Sequence, residues 1–221
     1  MRALFIALLL AVALPAHADE PRTKIDNIEP LLAEIGRARR EVKTLRASFT
    51  QERRIKLLAT SVKSRGELTF AAPDRLRWDL APPDDIVYFI GPEGLSYKTK
   101  SSSATMPAGG GNIARALADV RALLAGDLGA LRERYLLTAS RSPNDLEVSG
   151  TAKDAKASVR GFTLTLTPNG VVPLRARLTE GAERKGNANA NAAAAASSDT
   201  IDLIFSNVVT NGPVDSARLK P

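Results

Sequence analysis

Apolar and polar residues alternate along most of the chain. The alternation is densest over residues 66–97, GELTFAAPDRLRWDLAPPDDIVYFIGPEGLSY. Period two puts successive side chains on opposite faces of a strand. Leu68 and Phe70 share one face of a first strand, and Leu76, Trp78 and Leu80 one face of a second. Ile86, Tyr88 and Ile90 share one face of a third, and Leu95 and Tyr97 begin a fourth. Turn residues at 71–74, 81–84 and 91–94 separate them. The pattern predicts an antiparallel meander with one dry face and one wet face.

The same period continues on both sides. Over 45–58, Ala47, Phe49 and Gln51 alternate with Ser48, Thr50 and Glu52. Val62, Ser64, Gly66, Leu68 and Phe70 fall on one side of the next strand, and Gly66 in mid-strand predicts a bulge or bend that curves the sheet. After residue 98 a flexible patch over 101–111 is expected. Tyr135, Leu137 and Ala139, then Leu146 and Val148, resume the alternation. Phe162, Leu164 and Leu166 and the returning Leu174, Ala176 and Leu178 flank Asn169-Gly170, a hairpin signature. Ile201, Leu203 and Phe205 mark a last strand.

Helical spacing interrupts this twice. Ile28, Leu31, Leu32, Ile35, Val42 and Leu45 predict a helix over 27–44, capped by Asn27, with Pro30 in its first turn. Its late Arg37, Arg39, Arg40 and Lys43 suit the helix dipole. Ile113, Ala116, Leu117, Val120, Leu123 and Leu124 predict a second helix over 112–125, behind the hinge Gly109-Gly110-Gly111. Residues 19–24 read as a polar lead-in. Residues 181–199, rich in Ala and Asn, read as an exposed flexible loop between two strands. About ten or eleven strands, two or more helices and no βαβ rhythm give a mainly β fold: an antiparallel sheet curled against its helices.

Composition then narrows the chemistry. Residues 1–18, MRALFIALLLAVALPAHA, have a positive start, a short apolar run and a small-x-small end. They read as a cleaved signal peptide, too short for a membrane span, leaving one domain over 19–221 in the periplasm. Its removal takes away Arg2 alone, leaving thirty basic and twenty-four acidic residues, a net charge of +6. That excess reads as solubility; it gives nucleic-acid binding only weak support, and the secretion signal stands against it. The only histidine, His17, lies in the leader, and there is no cysteine. His- and Cys-based catalysis and the usual zinc sites therefore lack their residues. Asp74, Asp84 and Asp85 are the acids near the aromatic strands, and they read as turn residues.

Five pieces in order resemble the periplasmic outer-membrane lipoprotein carrier family of the LolA type, within the LolA/LolB-like superfamily. They are LRASFTQ at 45–51, SRGELTFAAPDRLRWDLAPPDDIVYFIGPEGLSY at 64–97 and LLAGDL at 123–128, then FTLTLTPNGVVPLRARL at 162–178 and IDLIFSNVVTNGPVD at 201–215. The resemblance implies an incomplete antiparallel β-barrel with a helical lid or plug. It implies a non-catalytic monomer without cofactor or metal. Such a carrier takes lipoprotein acyl chains from an ATP-driven release complex in the inner membrane and passes them to an outer-membrane acceptor. Ala72 stands where the family often has arginine. That difference keeps open a different lipid or glycolipid as cargo, or a scaffold or sensor module that binds a protein.

Acyl chains need an apolar slot, since each buried methylene contributes about 0.8 kcal/mol. The candidate lining is Phe49, Leu68, Phe70, Leu76, Trp78, Ile86, Tyr88 and Ile90 on the sheet, with Leu117, Val120 and Leu124 from the lid helix. The competing reading makes the same residues a closed core.

Overall fold

The computed structural model describes residues 21–55, 58–107, 118–119, 121–122, 125, 127–154, 157, 159–181 and 199–220. The expected signal peptide and nearly all of the expected loop over 181–199 lie outside them. So do the glycine hinge and most of the expected lid helix, including Leu117, Val120 and Leu124.

Among the described residues, twelve strands make one antiparallel sheet. They are β1 (Thr23–Ile25), β2 (Thr44–Ile55), β3 (Thr60–Ala71), β4 (Arg75–Leu80), β5 (Ile86–Gly91) and β6 (Gly94–Lys98). Next come β7 (Ser103–Pro107), β8 (Tyr135–Arg141), β9 (Leu146–Ala152), β10 (Val159–Leu166), β11 (Pro173–Glu180) and β12 (Thr200–Thr210). The helices are α1 (Glu29–Arg40) and α2 (Leu128–Arg134), and a 3-10 turn spans Ser216–Leu219. The spatial order is β1-β8-β9-β10-β11-β12-β2-β3-β4-β5-β6-β7, an open sheet with edges at β1 and β7. The expected mainly β, incomplete barrel-like architecture with helices is therefore what the chain forms.

Twelve strands are more than the expected ten or eleven, and two of them were not read from the sequence. β1 falls in the stretch read as a lead-in, and β7 in the patch read as flexible. Both are short edge strands held by backbone pairing, to β8 and β6 respectively, so their sequences carry little alternation. α2 was likewise not expected. It is seven residues long, and the Asp127 carboxylate caps it by accepting from the Ala130 amide at 3.3 Å.

The core of the sheet is the long pair β2–β3, in register from Thr44↔Ala71 to Ile55↔Thr60. Pairing runs straight through Gly66, opposite Phe49 on one side and Leu80 on the other, so the expected bulge is absent there. The glycine answers a close approach instead. A Cβ at Gly66 would lie 1.9 Å from the Asp79 carbonyl oxygen and 2.6 Å from Cζ of Phe49. Val62, expected on the dry side, is 46% exposed because this end of the hairpin extends past the covered part of the sheet.

α1 stops at Arg40, four residues short of expectation, because Thr44 already starts β2. Asn27 accepts from the Glu29 amide at 3.2 Å, one residue ahead of the Ile28 cap position. The hairpin β10–β11 turns as read, with Gly170 at φ +71°.

One face of the sheet carries two apolar clusters. The first joins Leu31, Leu32 and Ile35 of α1 and Leu128 and Leu131 of α2 to the inward residues of β8–β11. The second joins Val42 to the inward residues of β2–β6 and β12. Cross-strand partners Leu178 and Ile201 link them, and Ile201 and Ala176 pack against both.

Candidate functional site

The second cluster is built by register. Three rows of side chains cross the sheet on one face. The first runs Leu45–Phe70–Leu76–Ile90–Leu95–Met106. The second runs Ala47–Leu68–Trp78–Tyr88–Tyr97, and the third Phe205–Phe49–Gly66–Leu80–Ile86. Period two in each strand and unbroken register between strands force this alignment.

All eight sheet residues expected to line the slot lie on these rows. Phe49, Leu68, Phe70, Leu76, Trp78 and Ile90 are buried, while Ile86 and Tyr88 are half-buried. Burial falls toward the outer ends of the second and third rows, where Leu80, Ile86, Tyr88 and Tyr97 are all partly open. This edge is the more open part of the three rows. The Phe49 and Trp78 rings pack at 4.3 Å between centroids, and the Tyr88 and Tyr97 rings at 6.4 Å. Burial, then the nearby Asp84 carboxylate, pushes the Tyr88 hydroxyl above its ordinary pKa, so it stays neutral at this edge.

Several residues of this face were not on the expected list. Leu45, Ala47, Leu95, Leu203 and Phe205 belong to it through the pairings β12–β2 and β5–β6. Phe89 departs more sharply. It is out of phase with Tyr88 and Ile90 and is buried on the opposite face, 5.2 Å beneath the Arg77 guanidinium. Arg77 also forks onto Asp79 and donates to the Arg218 carbonyl at 2.8 Å, which ties the 3-10 turn to β4. A groove of about 390 Å³ at Ile28, Glu29, Arg132, Tyr135 and Leu136 lies beside the first cluster, and none of the expected lining residues borders it. Its rim is crossed by the Arg132–Glu29 ion pair at 2.7 Å, so it takes no part in the apolar face.

In the chain, Arg39 falls between residues of the two clusters. It continues the buried stripe of α1 one turn past Ile35, which belongs to the first cluster, and three residues before Val42, which belongs to the second. It is 1% exposed, and among the described residues none of its three guanidinium nitrogens has a hydrogen-bond partner. Burial alone pulls its pKa down to about 10, so it remains charged at neutral pH. An unpaired buried cation costs several kcal/mol. The sequence placed it among solvated cations of the last helical turn. Its i+4 spacing from Ile35 was the available signal.

Of the expected second helix, residues 118, 119, 121, 122 and 125 are helical. Ala122 packs in the first cluster and Ala125 against the second, so this segment also straddles the join. Asp119 fastens it. The carboxylate is 4% exposed, accepts from the Tyr135 hydroxyl at 2.7 Å and pairs with Arg134. Burial dominates, so its pKa is raised despite both partners, and the Tyr135 hydroxyl is raised with it. A raised folded pKa means the folded state holds the proton more tightly. The stability this gives is fully present below the ordinary value of about 3.9 and is lost as pH rises through the folded value. Urea midpoints of wild type minus Asp119→Asn should therefore fall as pH rises from about 4 toward neutrality. A difference that grows over this range contradicts the assignment.

Among the described residues, no cluster of His, Cys, Asp or Glu has the makings of a metal site, and no helix is long and apolar enough to cross a membrane.

Nothing among curated proteins matches the sequence. Three solved structures show the range of likeness. A DUF1329 family protein from Desulfovibrio piger is 10% identical, with a TM-score of 0.48, over 89% of this chain and 98% of its own. A LolA superfamily protein from Nitrosomonas europaea is 9% identical, with a TM-score of 0.44, over 89% and 99%. The MucA/MucB complex of Pseudomonas aeruginosa includes a chain 17% identical, with a TM-score of 0.44, over 87% of this chain and 60% of that one. The family model for the outer membrane lipoprotein carrier protein LolA matches residues 40–191, well over half of the sequence. The match covers most of the three apolar rows, and the chain belongs to the LolA family of outer membrane lipoprotein carrier proteins.

Proposed function

We propose that this protein is a non-catalytic periplasmic carrier that holds lipoprotein acyl chains against the apolar face of β2–β6 and moves them from the inner to the outer membrane. Family membership supports the carrier class. The observation that carries the reading is the set of three apolar rows. They span several strands of an open sheet and become partly exposed at one edge, where Ile86, Tyr88 and Tyr97 stand. An acyl chain laid along a row replaces side-chain contacts with equivalent ones, at about 25 cal/mol per Å² removed from water. A segment that packs on the same face competes with the cargo and so permits release. Ala125, within the expected lid helix, packs against the second cluster, which supports this reading.

Protein isolated from its own periplasm should carry acylated material that mass spectrometry identifies. The delipidated protein should take up a fluorescent fatty-acyl probe in competition with a triacylated lipopeptide. If native material is free of lipid and neither ligand binds, the carrier reading is wrong.

A further inference from the structure

We propose that the acyl ligand of this face carries an anionic head group, a carboxylate or a phosphate, that seats on the Arg39 guanidinium. The inference rests on the carrier reading above. Arg39 is where the protein is least satisfied by its own residues. Among the described residues, all three guanidinium nitrogens are buried without an acceptor. Such a group is retained inside a fold at a cost, and breaking or omitting its partner is the expensive state. A planar guanidinium presents paired N–H groups that match two oxygens of one carboxylate or phosphate.

Position agrees with chemistry. In the chain Arg39 falls between Ile35 of the first cluster and Val42 of the second, and its carbonyl accepts from the Val42 amide at 2.9 Å. A chain lying along the first row has one end at Leu45, three residues past Val42, and the other at Met106. A neutral head leaves the Arg39 cation as it is. An anionic head neutralises it, so it should bind in preference to a neutral head on the same chain.

The test uses the delipidated mature chain and three ligands of equal chain length, below micelle-forming concentrations: palmitate, hexadecyl phosphate and the neutral methyl palmitate. Emission of Trp78, the only tryptophan, follows binding. Wild type should bind at least one anion about 10-fold or more tighter than methyl palmitate, as one charge-assisted pair implies. Preference for palmitate assigns a carboxylate, and preference for hexadecyl phosphate a phosphate ester. Arg39→Met, which keeps the stem, should lose that preference and retain its affinity for methyl palmitate. Without ligand it should melt no lower than wild type. Arg39→Lys should fall between. Should the Met variant not fold, the wild-type preference and the Lys variant decide. Equal binding of all three ligands by wild type, or an unchanged preference in Arg39→Met, overturns the head-group assignment and leaves the carrier reading standing. Binding of none overturns both.

Discussion

Gly66→Ala should destabilise the protein by about 3 kcal/mol or more, lowering the melting temperature by roughly 6–12 °C for a domain of this size. The sign is the informative part. At an ordinary strand position alanine is better than glycine by about 0.5–1 kcal/mol, because glycine loses more backbone freedom. Here the new Cβ would lie 1.9 Å from a backbone oxygen, that of Asp79, and 2.6 Å from the Phe49 ring. A ring can swing away, but the carbonyl belongs to the adjacent strand of a continuous ladder. The methyl group therefore forces β3 and β4 apart at the centre of the third row. Adding Phe49→Leu should restore only part of the loss, since it relieves the ring and leaves the carbonyl contact. Thermal and urea unfolding of the two variants check this. An alanine variant as stable as wild type would mean that the strands approach less closely than the structure has them.

The same residue shows what the sequence disclosed and what it hid. Glycine in mid-strand marked position 66 as special, but not why. A bulge and a close approach both select glycine, and only the registers Phe49↔Gly66↔Leu80 decide between them. The rows themselves were legible. One covered face imposes period two on every strand that crosses it, so Leu68, Phe70, Leu76, Trp78, Ile86, Tyr88 and Ile90 could be placed without coordinates. Pairing between distant strands was not legible, because β12 meets β2 across about 150 residues of chain and local pattern does not encode that choice. Edge strands β1 and β7 were missed because backbone hydrogen bonds hold them rather than an apolar face. Phe89 was missed because its burial depends on Arg77 and a turn at the far end of the chain. Arg39 was misplaced because arginine late in a helix is nearly always solvated. Its burial is a departure from local rules, and such departures concentrate where proteins do something besides fold.

Phe49→Ala should cost about 3–5 kcal/mol without ligand, and should recover about half of that when an acyl ligand is present at saturating concentration. Phe49 is buried against Trp78 at 4.3 Å and pairs across the sheet with Phe205 and Gly66. Removing its ring deletes apolar contacts and leaves a void beside Trp78, and in a rigid core nothing refills it. If the same surface receives acyl chains, methylenes occupy the void. At 100 times its dissociation constant a ligand stabilises by about 2.7 kcal/mol, and more where it fills space that the variant has opened. Trp78 reports the event at one site, because the chain has no other tryptophan. Its emission should shift to the red in Phe49→Ala, as water reaches the indole, and return toward the blue on adding methyl palmitate. Wild type should show the smaller shift and the smaller gain in melting temperature, because its ring already occupies the space. If the ligand moves neither emission nor melting temperature in either protein, the three rows are a sealed core and the lipid site lies elsewhere.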